Sequence, residues 1–513
     1  MKKEKKYGLL ITLMILFLAY VVLSWIIPNG TVSSGTYADG TTNPVGLFGL
    51  IYYPVIAFGS FVQYGFVVLA IGALYGVMAK TGVYGNLVEK IANKFVKKEK
   101  LFLILTIAIL ALLSSVVGLT FAIFMILPLF IAVLTKMGFS NVTVLAATFG
   151  SVLVGRIGSI IGYDIAGIST AVFGTKVSAQ LAFKAILFVL VTTLFVLFVI
   201  SKKGSKLEVK KPAKKTAKKV ETKKNEKKTT AAATKSKTVK KVETKEEVKE
   251  EKREILFLEN EVKTKKSSAS LVVILIVLVL VAFLSMYDLN GVFGLSFFND
   301  LYDQLTAVKI GNFAVFEKVL GLTGAFGTWN VYELIVIILL ASITIAWVYN
   351  LSFDDYLEGV KTGAKRMLKP AFYVTMANIL FTMMLVNSSG TIVTYVTNKL
   401  ASLSSKFNVF SLTGSSIFAS LLFNHYDYMI NAIGTAYSVQ PFISESANLY
   451  SIIAFVCQGI FGVIMLLLPT SMVLIGGLSI LNVKIKDWFK YIWIYALEIF
   501  VIVVALSFIV TLV

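Results

Sequence analysis

The sequence predicts an all-α polytopic membrane protein. Two observations carry this. Of 513 residues, 57% are hydrophobic, and the mean hydropathy is +0.82. Those residues fall into many long uncharged runs, as spans of a ~30 Å hydrocarbon core require. A third observation divides the chain. Lys202–Lys266 carries 24 Lys/Arg and 11 Asp/Glu, a net +13 of the chain's +21. Its only apolar patch is Ile255–Leu258, and KKVETK occurs twice, at Lys218–Lys223 and Lys240–Lys245. High charge with low hydrophobicity cannot offset chain entropy, so this strap reads as disordered. The expected organisation is an N-terminal membrane half (1–201), a disordered Lys/Glu-rich linker (202–266) and a C-terminal membrane half (267–513). Lys/Arg-rich segments stay cytoplasmic, which puts the N-terminus and linker inside a multi-pass cell (cytoplasmic) membrane protein.

The elements follow in order. Tyr7–Pro28 reads as a first helix entering from the MKKEKK side, too long for a signal-peptide core. Asn29–Pro44 has no Lys or Arg and suits an external loop. Val45–Ser60, with Pro54, is expected along the outer interface, and Phe61–Lys80 crosses inward. In Thr81–Lys100, Val83, Leu87, Ile91 and Phe95 share one stripe, predicting an amphipathic surface helix. Leu101–Leu134 lacks any charge. As one helix it would span about 50 Å, so Ser114, Ser115, Gly118, Thr120 and Pro128 are expected to break it into a crossing plus a re-entrant hairpin or second crossing. Asn141–Gly155 forms the next helix, followed by GRIGSIIGYDIAGIST, and Val177–Ser201 returns. The second half opens with Ser270–Met286 and the acidic external stretch Tyr287–Lys309. Then come Glu333–Tyr349, a second amphipathic surface helix Ser352–Lys369, Pro370–Val386, the polar break Asn387–Gly390, Val409–Leu422, Ser451–Leu468 and Trp488–Val513. About 10–12 transmembrane segments result. The shared order of elements implies two inverted-topology repeats with re-entrant hairpins and broken helices, a common architecture of secondary transporters.

Gly, Pro and polar groups at membrane depth persist only where protein or a cavity satisfies the freed backbone. Ser114–Thr120, Gly155–Thr170, Asn424–Gln440 and Gln458–Ser471 qualify. Ser115, Thr120, Arg156, Ser159, Asp164, Asn424, His425, Asp427, Thr435, Gln458, Thr470 and Ser471 are therefore the candidate substrate- or ion-binding residues. An ionisable group at that depth is functional by default. Arg156 would hold a carboxylate, whereas Asp164 or Asp427 would favour a cationic amino acid or a bound cation. Broken helices also suit Na⁺, and His425 beside Asp427 keeps H⁺ coupling open. A single Cys457 excludes an intrachain disulfide, and a single His425 excludes a multi-histidine metal site. No organic cofactor is expected. The basic balance lies mostly in the linker, so the expected partners are a small-molecule substrate and membrane lipid, not nucleic acid. No nucleophile–base set is visible, which argues against an enzyme.

LLPTSMVLIGGLSILNVKIKDWFKYIW (Leu467–Trp493), KTGAKRMLKPAFYVTMANILFTMMLVNSSGTIVTYVTNKLASL (Lys361–Leu403) and YGVMAKTGVYGNLVEKIANKF (Tyr75–Phe95) resemble the YfcC / anaerobic C4-dicarboxylate carrier-like (DcuC-type) family of the ion transporter superfamily. The resemblance implies two hairpins and two broken helices around a central site, dicarboxylate or arginine/ornithine-type substrates, and a homodimer as the candidate assembly. Three departures bear on specificity. GRIGSIIGYD stands where the family tends to place Asn-Pro. QGIFGVIMLLLPT carries Phe461 and Met465 at positions expected to be polar, and FNHYDYMINAIGT replaces a small, Ser-rich tip. The sequence reading is thus a secondary active transporter, symporter or antiporter, of a small carboxylate or amino acid. A membrane-embedded enzyme or channel is the rival.

Overall fold

Apolar residues point outward as well as inward along the first and later long helices, the pattern of a protein solvated by lipid. The computed structural model describes residues 8–202, 254–258, 264–321, 323–386, 391–446 and 448–512. Most of the linker and the polar break at 387–390 lie outside the described residues. Among the described residues, eight spans are long and apolar enough to cross a membrane, and three shorter apolar helices join them.

Helix α1 (Gly8–Ile26) is followed by an antiparallel hairpin of β1 (Gly30–Ser33) and β2 (Thr36–Asp39). Helix α2 is continuous over Gly49–Lys80, so the expected boundary near Ser60 is absent; Pro54 falls in the second turn, where it interrupts little of the ladder. Helix α3 (Val83–Lys94) buries Val83 and Leu87 and half-buries Ile91, the stripe expected from the sequence. Helix α4 (Glu99–Val116) ends at a tip, 117–119, and the chain continues through α5 (Thr120–Phe124) and α6 (Leu127–Lys136). A broken helix follows: α7 (Asn141–Leu145), a π-helical turn (Ala146–Gly150) and α8 (Ser151–Ile157), then extended residues and a second π turn (Tyr163–Gly167) leading into α9 (Ile168–Phe173). Helix α10 (Leu181–Ser201) closes the half.

The second half begins with α11 (Ala269–Met286). Short helices α12 (Leu289–Phe293), α13 (Phe297–Ala307) and α14 (Val315–Leu320) surround the ribbon of β3 (Lys309–Ile310) and β4 (Phe313–Ala314). Helix α15 (Val331–Val348) starts at a capping box in which the Tyr332 N–H donates to Asn330 Oδ1 and the Asn330 N–H to Glu333, both at 2.8 Å. Helix α16 (Phe353–Met376) runs through Pro370, so the amphipathic stretch expected to stop at Lys369 continues inward as one element. Packing against α2 on both sides of the proline holds it together. Then come α17 (Ile379–Val386), α18 (Ile392–Ala401), α19 (Val409–Leu422), a break at 423–425, α20 (Tyr426–Ser438), α21 (Leu449–Leu467), a break at 468–471, α22 (Met472–Ile480) and α23 (Ile485–Val510).

From α2 and from α16 onward, the order of elements is the same: a long helix, a short surface helix, two arms meeting at a tip, a broken helix and a closing helix. Helix α16 therefore corresponds to α2, and α18 to α3. Helices α2 and α16 lie antiparallel, since Gly65 sits beside Ala371 and Thr375, Gly72 beside Gly363, and Gly76 beside Gly359. Glycines permit this backbone approach: a Cβ on Gly72 would stand 2.6 Å from the Gly363 carbonyl oxygen. At the centre lies the Leu449–Ile480 segment, 83% buried against 22% for α1. Two hydrogen bonds anchor its surroundings: Trp488 Nε1 donates to the Leu466 carbonyl (2.9 Å) and the Tyr495 hydroxyl to the Val191 carbonyl (2.8 Å).

Candidate functional site

The two tips and the two breaks meet at the centre of the protein. Each break frees backbone groups that a neighbouring segment must satisfy. Ser115, near the end of α4, does this for the first break. Its carbonyl accepts from the amides of Ile160 (3.0 Å), Ile161 (3.2 Å) and Gly162 (2.9 Å), and its hydroxyl donates to the Gly158 carbonyl (2.7 Å). Gly118 forms the tip with φ of +70°, and a Cβ there would lie 2.6 Å from the Gly162 carbonyl carbon; only glycine fits. The Tyr163 amide donates to the Val117 carbonyl (3.0 Å), and Asp164 accepts from the Thr120 amide (3.0 Å) and from the Thr120 hydroxyl. Asp164 thus sits at the start of α5 and ties the tip to the break.

The second tip is tied in a parallel way. Asn424 Nδ2 lies within hydrogen-bond distance of the carbonyls of Ala377 (3.3 Å) and Thr470 (3.2 Å) and of Asn378 Oδ1 (3.0 Å). His425 Nε2 also meets Asn378 Oδ1, at 2.8 Å; because Asn378 presents its oxygen, His425 is the donor. The imidazole packs among Phe61, Tyr64, Phe381 and Tyr428. Gln458 Nε2 joins the two broken helices by donating to the carbonyls of Ile157 (3.1 Å) and Ser159 (2.9 Å).

Between these segments lies a cavity of 520 Å³, the size of a site for a small organic molecule. Thr120, Arg156, Asp164, Asn424, His425, Asp427 and Ser471 line it, with Tyr64, Tyr163 and Tyr426. Asp288 and residues 327–331 line it from the loops beside α11 and α15. Among the described residues, Arg156 is the only Lys or Arg in the lining. Its guanidinium carbon lies 5.5 Å from the Phe461 ring centroid, its Nε is buried without a hydrogen-bond partner, and it interacts electrostatically with Asp164 and Asp427. Asp427 stands in the first turn of α20 and Ser471 caps α22, where its side chain accepts from the Leu474 amide (3.4 Å). Both helices thus begin at the cavity, each with the positive end of its dipole facing in.

The other candidates stand outside the lining. Ser115, Ser159 and Gln458 are buried and spend their polar groups on the first break; they hold the site's shape. Thr470 is buried behind the cavity wall with its hydroxyl unpartnered. Thr435 corrects the sequence reading: it lies three turns along α20, exposed on the outer face, because the tip falls at 423–425. Asn378, Trp329 and Asn330 stand outside the residues expected from the sequence, and Asp288 is expected only as part of the acidic external stretch Tyr287–Lys309. Asn378 follows the end of α16 within an apolar run, and the interruption it marks has no Gly or Pro to announce it.

A family model described as C4-dicarboxylate anaerobic carrier matches residues 7–512. The chain belongs to that family. Comparison with individually curated proteins returned no match. Membership in the C4-dicarboxylate anaerobic carrier family makes this chain a multi-pass membrane transporter of the carboxylate-carrier class, and the central cavity with its half-buried Arg156 is the candidate transport site. Among the described residues, no group of three or more His, Cys, Asp or Glu is placed to hold a metal ion.

Proposed function

We propose that the chain is a secondary active carrier of a small carboxylate that also bears an amino group, moving it across the cytoplasmic membrane by alternating access. One observation carries the substrate class. Arg156 brings a guanidinium to the cavity lining for a carboxylate, while Asp164 and Asp427 line the same cavity and interact with it electrostatically. A dianion would meet one cation and two carboxylates, with Asp288 at the rim. An amino acid, zwitterionic or basic, would satisfy both signs. Charge pairs in such a water-poor site are several-fold stronger than in bulk, so the mismatch weighs heavily.

A second reading keeps an unsubstituted C4-dicarboxylate, as the family description favours, and compensates its charge with Na⁺. Asn424 Oδ1 and Thr470 Oγ1, two buried oxygens without partners at the second tip and break, favour it. The chemistry of that pair, neutral hard oxygens, fits Na⁺ rather than a transition metal. H⁺ coupling through Asp427 is the remaining alternative.

The orientation follows from the charge of the loops: the Lys-rich segments inside, the hairpin β1–β2 and the acidic α11–α15 connection outside. The two repeats then have inverted topology, with the first pair of arms entering from inside and the second from outside. The cavity reaches Asp288 and residues 327–331 and so faces outward.

Ligand-dependent thermal stabilisation of the detergent-purified chain tests the substrate class. At a hundredfold excess over Kd a bound ligand stabilises by about 2.7 kcal/mol. Aspartate, arginine or ornithine should raise Tm without Na⁺. Stabilisation by succinate alone, and only with Na⁺, would select the second reading.

A further inference from the structure

One short stretch of the basic linker sits on the body of the protein. Leu256 and Phe257, within the linker's only apolar patch, are 6% and 7% exposed. Phe257 adopts φ of 62°, a left-handed conformation that a bulky residue keeps only when its surroundings enforce it. Its ring stacks on Tyr75 of α2 at 5.5 Å. Tyr75 in turn donates its hydroxyl to the Met125 carbonyl (2.8 Å), at the joint of α5 and α6, and packs edge-on against Tyr84 of α3. Tyr84 donates to the Pro128 carbonyl (3.3 Å). On one flank of the patch, Glu254 pairs with Arg366 of α16 at 3.6 Å. On the other, the Thr264 carbonyl accepts from Asn86 Nδ2 (2.8 Å) and Lys266 Nζ reaches the Tyr349 carbonyl (2.5 Å).

These contacts join α2, α3, α16 and the returning arm of the first hairpin on the side away from the cavity's mouth. For the cavity to open there, those elements must part. We propose that residues 254–258 form a latch that holds the inner side shut while the cavity faces outward, and that the latch leaves its seat when the carrier opens inward. The proposal rests on the alternating-access reading. It also explains why an otherwise charged linker keeps four consecutive apolar residues: a tether needs none, whereas a seat beside Tyr75 needs a ring and its neighbours.

The test uses the full-length chain in nanodiscs, in a Cys457→Ser background with Met125→Cys as a reporter. Met125 is 1% exposed beneath Tyr75, so maleimide labelling reports inner-side opening. The expectation is a labelling rate at least threefold higher in Phe257→Ala, and a smaller rise in Glu254→Lys. Glu254 is exposed, so the second variant folds even where the first does not. Unchanged rates in both, with the parent still responding to substrate, would overturn the latch. A parent whose labelling ignores every substrate in the amino acid and dicarboxylate panel would instead overturn alternating access.

Discussion

Arg156 stands near the end of α8 with its guanidinium against Phe461, a ring on α21 at a position where the family resemblance led us to expect a polar side chain. The ring packs where a hydrogen-bond partner would otherwise stand, and Arg156 lines the cavity as a cation available to substrate. Arg156→Ala should therefore lower substrate affinity by about 1.5–3 kcal/mol, the worth of a hydrogen bond to a charged group, or roughly 10- to 150-fold. Equilibrium binding measures it; Arg156→Lys should recover only part, since lysine lacks the planar fork. Asn378 makes a different prediction. Its oxygen receives both Asn424 and His425, so Asn378→Ala leaves His425 Nε2 without its acceptor, while Asn424 keeps the Ala377 and Thr470 carbonyls, at a cost of about 1–3 kcal/mol. Because the tip then loses its register, KM should rise more than kcat falls. The reverse split would make Asn378 merely structural. Sequence made Arg156, Asp164, Asn424, His425, Asp427 and Ser471 legible because charge and polarity are conspicuous in an apolar run. It could not separate Ser115 and Gln458, which bind backbone, from residues that line the cavity: that distinction depends on which carbonyls each break leaves free. Tyr64 and Trp329 were hidden among the chain's many aromatics.

At the scale of the element, the first tip and the two breaks were readable from Gly, Ser and Pro at membrane depth, and the second tip from the polar pair Asn424 and His425, which stands at the start of the expected segment. The long helices were less so. Pro54 is absorbed in the second turn of α2, and Pro370 suggested a boundary that packing overrides through the glycine seam between α2 and α16. A side chain at Gly363 would press on the backbone of Gly72 and Gly76. Gly363→Leu should destabilise the protein by about 1–3 kcal/mol or more through overpacking, visible as a lower Tm in detergent; Gly8→Leu, with open space around it, should leave Tm unchanged. The hairpin of β1 and β2 is held otherwise. Its Gly30 and Thr391 exchange backbone hydrogen bonds, and Asp39 meets Lys399 at 2.7 Å. The Lys399 ammonium, with the Tyr37 hydroxyl, lowers the Asp39 pKa below the ordinary 3.8. A carboxylate depressed in the folded state stabilises fully above its unfolded value and loses that contribution as pH falls through the folded one. The pair is exposed, so the effect is small. Any Tm difference between the parent and Asp39→Asn should be constant above about pH 5 and fade as pH falls through the lowered value.

At the scale of the whole molecule, the halves repeat one order of elements around a cavity that both enclose. Composition alone established a polytopic membrane protein, and element order suggested the repeat. The packing of α16 on α2 was not legible, because an amphipathic start disguised α16 as a surface helix. Deletion of residues 206–253 should leave uptake within about twofold, whereas residues 254–258 form the proposed latch. The central claim is that the Arg156 cavity is the transport site of a coupled carrier. Uptake of labelled aspartate, arginine, ornithine and succinate into proteoliposomes, under an imposed Na⁺ or H⁺ gradient or against internal unlabelled substrate, tests it most directly. The predicted result is accumulation of one carboxylate class, strongest for those bearing an amine and lost in Arg156→Ala. Accumulation undiminished in that variant, or none of any carboxylate by a folded protein, would contradict it.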